Sequence, residues 1–405
     1  MRLKSISANN VVHGLESSWE LKSVAFDKIN LIVGKNASGK SRILGFINTF
    51  ALMLCGKMPV PGDYAKFNME FDDSGIKCDF EIEYNSGKII GENYTQNDQI
   101  FLRRNADGMG ELLTESIETN IDEIIGTSPI AQPKTTGKKV PTFFKVEDSK
   151  PATFMKRDPV LSPYLETLWE WSSQVKKYDF NLKLGKEAPG FGAFPAEQID
   201  FRDQTAVIAM YRDGVKKHPD FKVKIIDDMA TIGYFLDDIQ ITHTDRVQFS
   251  MNMNGPGFPI APEFVSIKIK EKEIPFFIEQ FEISTGMFRA LSLIIQLNYS
   301  SLNNLGSTIL IDDIGEGLDY DRASSLIDFV IKMGESSDLQ IIMSTNDRFV
   351  MNKVPLRYWA VINRAGSIVK VDSLKNKTEL IEAFDFTGLS NFDFFTSDFL
   401  EKGEI

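Results

Sequence analysis

One octapeptide constrains this chain more than any other feature. Gly34-Lys35-Asn36-Ala37-Ser38-Gly39-Lys40-Ser41 reads G-x-x-x-x-G-K-S, and its flanks have the character such a motif needs. Ile29-Asn30-Leu31-Ile32-Val33 before it is short and apolar, the pattern of a fully buried strand. Ile43 to Leu54 after it is apolar and long enough to be a helix. A glycine-rich turn between such a strand and helix points its backbone N–H groups inward. The helix N-terminus adds partial positive charge, so the turn can hold a polyphosphate. In that arrangement Lys40 reaches the β- and γ-phosphates and Ser41 ligates Mg²⁺. Gly34, Lys35, Asn36, Ala37, Ser38, Gly39, Lys40, Ser41 and Arg42 are the candidate nucleotide contacts, and ATP with Mg²⁺ the expected cofactors.

The metal needs a further oxygen ligand from the protein. Ile309-Leu310-Ile311-Asp312-Asp313 supplies one, as β-favouring residues that end in two acids. Asp312 is the metal-ligand candidate. Asp313 stands where a base would polarise the attacking water, with Glu316 as an alternative base. Upstream, Ser284-Thr285-Gly286 opens an apolar helix that runs to Leu297. Ser284 is a natural N-cap, and Gly286 permits close approach, so this is a second helix N-terminus aimed at phosphate. Short apolar strands at 307–311 and 339–343 flank a helical stretch from Asp321 to Met333, which makes a βαβ unit.

Elsewhere the texture varies. Residues 66–103 alternate apolar and polar, as half-buried strands do. From 105 to 165 prolines recur without a sustained period, which predicts a loop-rich insertion. Within it, 134–157 carries seven basic residues against Glu147 and Asp148. Residues 160–240 read as largely helical, as in Ala206 to Tyr211 and Ile225 to Ile239. Trp359 to Val371 reads as a hairpin through Ala365-Gly366, and 384–405 holds six Phe, five acids and one Lys.

Composition excludes several classes. The 405 residues hold 45 basic and 57 acidic groups, a net charge of −12, so any nucleic-acid contact must come from a local patch. Two cysteines, Cys55 and Cys78, make neither a zinc site nor a disulfide framework. His13, His218 and His243 lie at no metal-ligand spacing. The most apolar run, Ile43 to Cys55, is too short for the roughly 20 residues of a membrane span. The N-terminus lacks a signal-peptide pattern. A cytoplasmic protein with no membrane partner is expected.

The order of these motifs resembles the ABC-type ATPase heads of the SMC, RecF and OLD (overcoming-lysogenisation-defect) group. Gly34-x-Asn36-x-Ser38-Gly39-Lys40-Ser41 is similar to that group's P-loop, whose commoner form has Gly at the Ala37 position. Ser284-Thr285-Gly286 occupies the signature position, Gly317-Leu318-Asp319 resembles the D-loop, and Asn346 falls where these heads usually carry a switch His. The resemblance covers about 1–100 and 250–375. It implies an α/β fold, a P-loop ATPase head of mixed and parallel sheet with a largely helical insertion. The chain then divides into a first head part at 1–104, an insertion at 105–245, a second head part at 246–375 and an acidic Phe-rich tail at 376–405.

The resemblance also implies a homodimer or higher homo-oligomer. Each ATP would lie between the P-loop of one copy and Ser284, Gly286 and Asp319 of the other. Asp313 in place of Glu, and Asn346 in place of a His that could titrate, imply slow turnover, with Asp313, Glu316 and Asn346 as the catalytic candidates. OLD-like ATPases in anti-phage systems carry a Toprim nuclease or act beside a separate nuclease or toxin. The 93 residues after Asp312 lack a nuclease-like acid cluster, so a sensor or scaffold subunit with a separate effector is the first expectation. The alternative is a RecF- or SMC-like ATPase in DNA repair or maintenance, with nucleic acid as partner through 134–157, Lys216-Lys217 and Lys268-Lys270-Lys272. The long insertion and the absence of the Ser-Gly-Gly-Gln signature argue against a transporter subunit.

Overall fold

The computed structural model describes residues 1–11, 18–117, 135–180, 182, 184–188, 190–191, 200, 202–244, 264–303, 308–397 and 399–402. The chain falls into two compact units. One comprises Met1–Asp27, Ala37–Val175 and Ile362–Ser373; the other comprises Lys28–Asn36, Lys176–Val361 and Leu374–Ile405.

The first unit is an antiparallel sheet carrying helices. Its strands are β1 (Arg2–Val11), β2 (Ser18–Ala25), β4 (Tyr64–Asp73), β5 (Ile76–Asn85), β6 (Lys88–Gln96), β7 (Gln99–Arg104), β8 (Met109–Ile117), β9 (Thr135–Lys145) and β18 (Ile368–Ser373). β1 pairs β2 and β4, and β4 through β9 run as a meander. β18 lies parallel to β2. Alternation works as expected in β4 and β5, where Ala65, Phe67, Met69 and Phe71 and then Cys78, Phe80, Ile82 and Tyr84 are buried. They meet helix α1 (Lys40–Leu54), whose Ile43, Leu44, Ile47, Phe50, Ala51, Met53 and Leu54 are buried. Phe50 packs edge-on against Phe80, 5.3 Å between ring centroids. Two further helices, α2 (Ala152–Met155) and α3 (Pro163–Gln174), complete the unit, and Trp171 of α3 packs 4.7 Å from Phe71. The buried Glu92 carboxylate accepts from the N–H groups of Ala152 and Thr153 at 2.6 and 2.9 Å and lies 3.6 Å from buried Arg104.

The second unit has a parallel sheet in the order β10 (Lys176–Asp179), β15 (Thr308–Asp312), β16 (Gln340–Thr345), β3 (Ile29–Val33), β17 (Trp359–Ala365). The division between units cuts β17 after Val361. β15, β16 and β3 are buried throughout, which explains their near-continuous apolar runs. A smaller antiparallel sheet is built on β13 (Phe264–Glu271), which pairs β11 (Gly190–Phe191), β12 (Leu236–His243) and β14 (Ile278–Glu279). Helices α4 (Val207–Lys217), α5 (Phe221–Thr231), α6 (Thr285–Leu302), α7 (Tyr320–Ser336) and α8 (Arg348–Lys353) pack around these sheets. Most of α6 is buried on every side, as in a helix at the centre of a core. The tail forms α9 (Thr378–Asp385), α10 (Asn391–Thr396) and α11 (Phe399–Lys402).

Several elements differ from the sequence expectation for identifiable reasons. The proline-rich stretch after 105 contains the paired strands β8 and β9. β9 is an edge strand exposed along nearly its whole length, so it shows no apolar alternation and tolerates Pro141 opposite Leu113. The helix expected to reach Ile239 ends at Thr231, and Leu236–His243 is a strand. β10 lies where helix was expected. Three of the six tail Phe residues are core: Phe384 sits 5.1 Å from both Phe394 and Phe399, and Phe394 is 6.4 Å from Trp359. Phe386, by contrast, is 97% exposed. Lys134 and His13 lie outside the described residues.

Lys176 on β10 is buried against Ser300 of α6, with Ser300 Oγ accepting from its ammonium. Burial holds this ammonium down to about 8 from an ordinary 10.5. Below about pH 8 both folded and unfolded chains carry the proton, and the burial penalty is fully present. Between 8 and 10.5 the unfolded chain binds more protons, so stability rises with pH. Lys176→Met should therefore raise the unfolding free energy by roughly 2–3 kcal/mol at pH 7, with a smaller gain at pH 9.5. Urea unfolding of both proteins at the two pH values checks this; no gain at pH 7 would contradict it.

Candidate functional site

The parallel register of the second unit sets the geometry of the site. Val33 pairs with Thr345, Ile311 with Met343, and Asp179 with Asp312. Gly34, Asp312-Asp313 and Asn346 therefore leave their strands at one carboxyl edge, where ligands collect in sheets of this kind.

The part of the turn that belongs to the first unit runs from Ala37 into α1. Ala37 has φ +61° and Gly39 φ +111°, both left-handed. A Cβ on Gly39 would lie 2.9 Å from the Trp19 ring, so this position needs glycine for both conformation and space. Gly39 is also the N-cap of α1 and offers no side-chain acceptor, and the first turn has no acidic residue. The helix N-terminus thus keeps its positive character. Ser38 is 5% exposed, and its buried Oγ has no hydrogen-bond partner among the described residues. A buried hydroxyl left unpaired costs free energy unless a ligand satisfies it. Lys40 is buried and Ser41 exposed at the start of α1. Arg42 donates from Nη2 to Asn10 Oδ1 and stacks 4.6 Å from the Trp19 ring.

The remaining candidates lie in the second unit. Asp312 is buried at the end of β15, and its Oδ1 accepts from Ser344 Oγ of the neighbouring β16. Asp313 follows with φ +54°, an unusual conformation for a non-glycine residue. Its N–H donates to Ser344 Oγ at 3.1 Å, and Asn346 Nδ2 donates to its Oδ1 at 3.4 Å. Asp313 and Asn346 are thus brought together. Ser284 caps α6 by accepting from the Met287 N–H at 3.2 Å. Asp319 caps α7 by accepting from the Arg322 N–H at 3.0 Å, which with the nearby guanidinium holds its carboxyl below the usual range.

Gly286 has a use within the chain as well as the expected one toward phosphate. A Cβ there would lie 2.8 Å from the Gly317 carbonyl oxygen. Arg289, one turn along, donates to the Glu316 carbonyl at 2.9 Å and the Leu182 carbonyl at 2.8 Å. The start of α6 is thereby tied to the loop that carries Glu316 and precedes Asp319.

Sequence reasoning assigned no role to Arg289, Ser344 or Asp179. Asp179, next to Asp312 in register, is a third carboxylate at this edge. The alternation of Tyr178 and Phe180 with Lys177 and Asp179 could have revealed β10, but the buried Lys176, on the face of Tyr178, disguises it. Among the described residues, no group of three His, Cys, Asp or Glu side chains is placed to hold a metal ion.

No family model matches the chain. No curated protein matches it either. Among solved structures it is similar to the Smc head bound to the C-winged helix domain of ScpA, with a TM-score of 0.50 and 13% identity over 94% of this chain and 100% of that one. The fold is that of an Smc-type ABC ATPase head. Other matches are the Smc head with an extended coiled coil bound to the C-terminal domain of ScpA derived from Pyrococcus furiosus (TM-score 0.45, 13% identity, 95% and 99% covered) and the SMC head domain from Thermotoga maritima (0.41, 12%, 92% and 99%).

The two left-handed positions of the turn respond to substitution by different amounts. Gly39→Ala should cost of order 1–3 kcal/mol, from a strained φ and the Trp19 clash. Ala37→Gly relieves a left-handed alanine while loosening the unfolded chain, so stability should change by less than about 1 kcal/mol. Urea unfolding distinguishes them; a neutral Gly39→Ala would contradict the geometry.

Proposed function

We propose that this chain binds ATP and hydrolyses it slowly, closing on a second copy around the nucleotide and signalling to a separate effector. The observation that carries the reading is the shared carboxyl edge. A glycine-rich turn leaves one buried strand there, and a buried carboxylate ends another.

In this reading the amides of 34–41 and Lys40 hold the phosphate chain, and the unpartnered Ser38 hydroxyl gains an acceptor. The donor set suits Mg²⁺, a hard cation taken by oxygen ligands, and Ser41 and Asp312 would hold it. The bound metal would neutralise charge developing on the phosphates. Ser344 fixes the Asp312 carboxylate. Asp313 accepts the proton of the attacking water, oriented by Asn346 through an amide that cannot titrate. Glu316 is the alternative base, its backbone steadied by Arg289. A short base held by a neutral partner supports slow turnover.

One P-loop and one signature turn per chain support a two-copy site. The similar Smc head is bound to a winged-helix domain, which supports a protein partner for this chain also. The anti-phage sensor role rests on the sequence resemblance. The DNA alternative draws less support, because the basic segment is partly engaged: Lys150 pairs with Glu147 at 2.9 Å and Arg157 with Glu166 at 3.0 Å.

Lys40→Ala should abolish ATP binding in equilibrium dialysis. Asp313→Asn should retain binding, lose at least about 100-fold in turnover and accumulate as an ATP-dependent dimer in light scattering. The wild-type kcat should fall below about 10 per second. Normal ATP binding by Lys40→Ala, or wild-type turnover by Asp313→Asn, would overturn the assignment.

A further inference from the structure

We propose that Arg364, near the end of β17, is a second arginine of the nucleotide site, gripping the phosphate chain of a nucleoside di- or triphosphate together with Arg42. The inference rests on the phosphate-binding reading of the turn and adds to it a residue that no motif marks.

Arg364 is exposed, yet its guanidinium is tied to the turn. Nη1 donates to the Ala37 carbonyl at 3.0 Å, and Nε donates to the Gly366 carbonyl at 2.8 Å. Arg42 is held independently, by Asn10 Oδ1 and by stacking 4.6 Å from Trp19 and 5.5 Å from Phe46. The two cations feel each other: after burial, the charge of Arg364 is the next largest cause holding the Arg42 guanidinium below its ordinary value.

Neither arginine forms an ion pair among the described residues. Among the described residues, one carboxylate acts on Arg42. Asp63 raises the Arg42 value, and its Oδ2 accepts from Asn10 Nδ2 at 2.5 Å. Two positive charges against one negative leave a local excess. It sits beside an α1 N-terminus with no acid in its first turn and beside the buried, unpartnered Ser38 hydroxyl. Like charges held together against their repulsion, with a donor waiting between turn and helix, are completed by an anion with several oxygens. The planar guanidinium fork suits phosphate. Because both forks are already oriented by the protein, little side-chain freedom is lost on binding.

The test measures ATP and ADP affinity of the full chain by calorimetry at two salt concentrations, for wild type, Arg364→Ala, Arg364→Lys and Lys40→Ala. Arg364→Ala should raise Kd about 10-fold for either nucleotide and flatten its salt dependence. Arg364→Lys should recover part of the affinity. If Lys40→Ala loses binding while Arg364→Ala matches wild type at both salts, the role of Arg364 is refuted. If Lys40→Ala binds normally, the phosphate-binding reading itself fails.

Discussion

Register between parallel buried strands is the constraint on which the rest depends. β3, β16 and β15 are buried on both faces, so a slip by one residue would exchange every side chain between faces that are both packed. Their ends are therefore fixed relative to one another. Gly34, Asn346 and the Asp312-Asp313 pair emerge together because Val33 must face Thr345 and Ile311 must face Met343. The chemistry is placed by hydrophobic burial before any polar group acts.

Two of the left-handed non-glycine residues, Ala37 and Asp313, are candidate-site residues. Ala37 and Asp313 both adopt left-handed conformations that L side chains avoid, at a cost of order 1–3 kcal/mol each. Each is held by neighbours that over-determine it. The Ala37 carbonyl accepts from Arg364, while the Asp313 N–H and carboxylate are held by Ser344 and Asn346. Ser344 serves both acids at once, accepting from the Asp313 N–H and donating to Asp312. In the second unit, Arg289 ties the start of α6 to the loop from Glu316 to Asp319.

The parts legible in the sequence were those where burial is complete or a motif dictates conformation. The strand–turn–helix at 29–54, the βαβ unit at 308–345 and the alternating strands at 64–104 follow from periodicity and glycine placement. β9 was illegible because an exposed edge strand has no apolar face to alternate. β10 was hidden by a lysine in its core position, and with it went Asp179. The Phe content of the tail fits a partner contact and a helix packed on the head equally, and three of those rings close the core of the second unit. Composition cannot show which aromatic side chains find each other. Arg364 is invisible for a related reason, because it reaches Ala37 across 327 residues of sequence.

The most direct measurement is a crystal structure of the full chain grown with Mg²⁺ and a non-hydrolysable ATP analogue. The account predicts the triphosphate along the turn from Gly34 to Ser41, with the metal at Ser41 and Asp312 and a second copy closing the site through Ser284 and Gly286. A nucleotide bound elsewhere, or the same turn empty at saturating analogue, would contradict it.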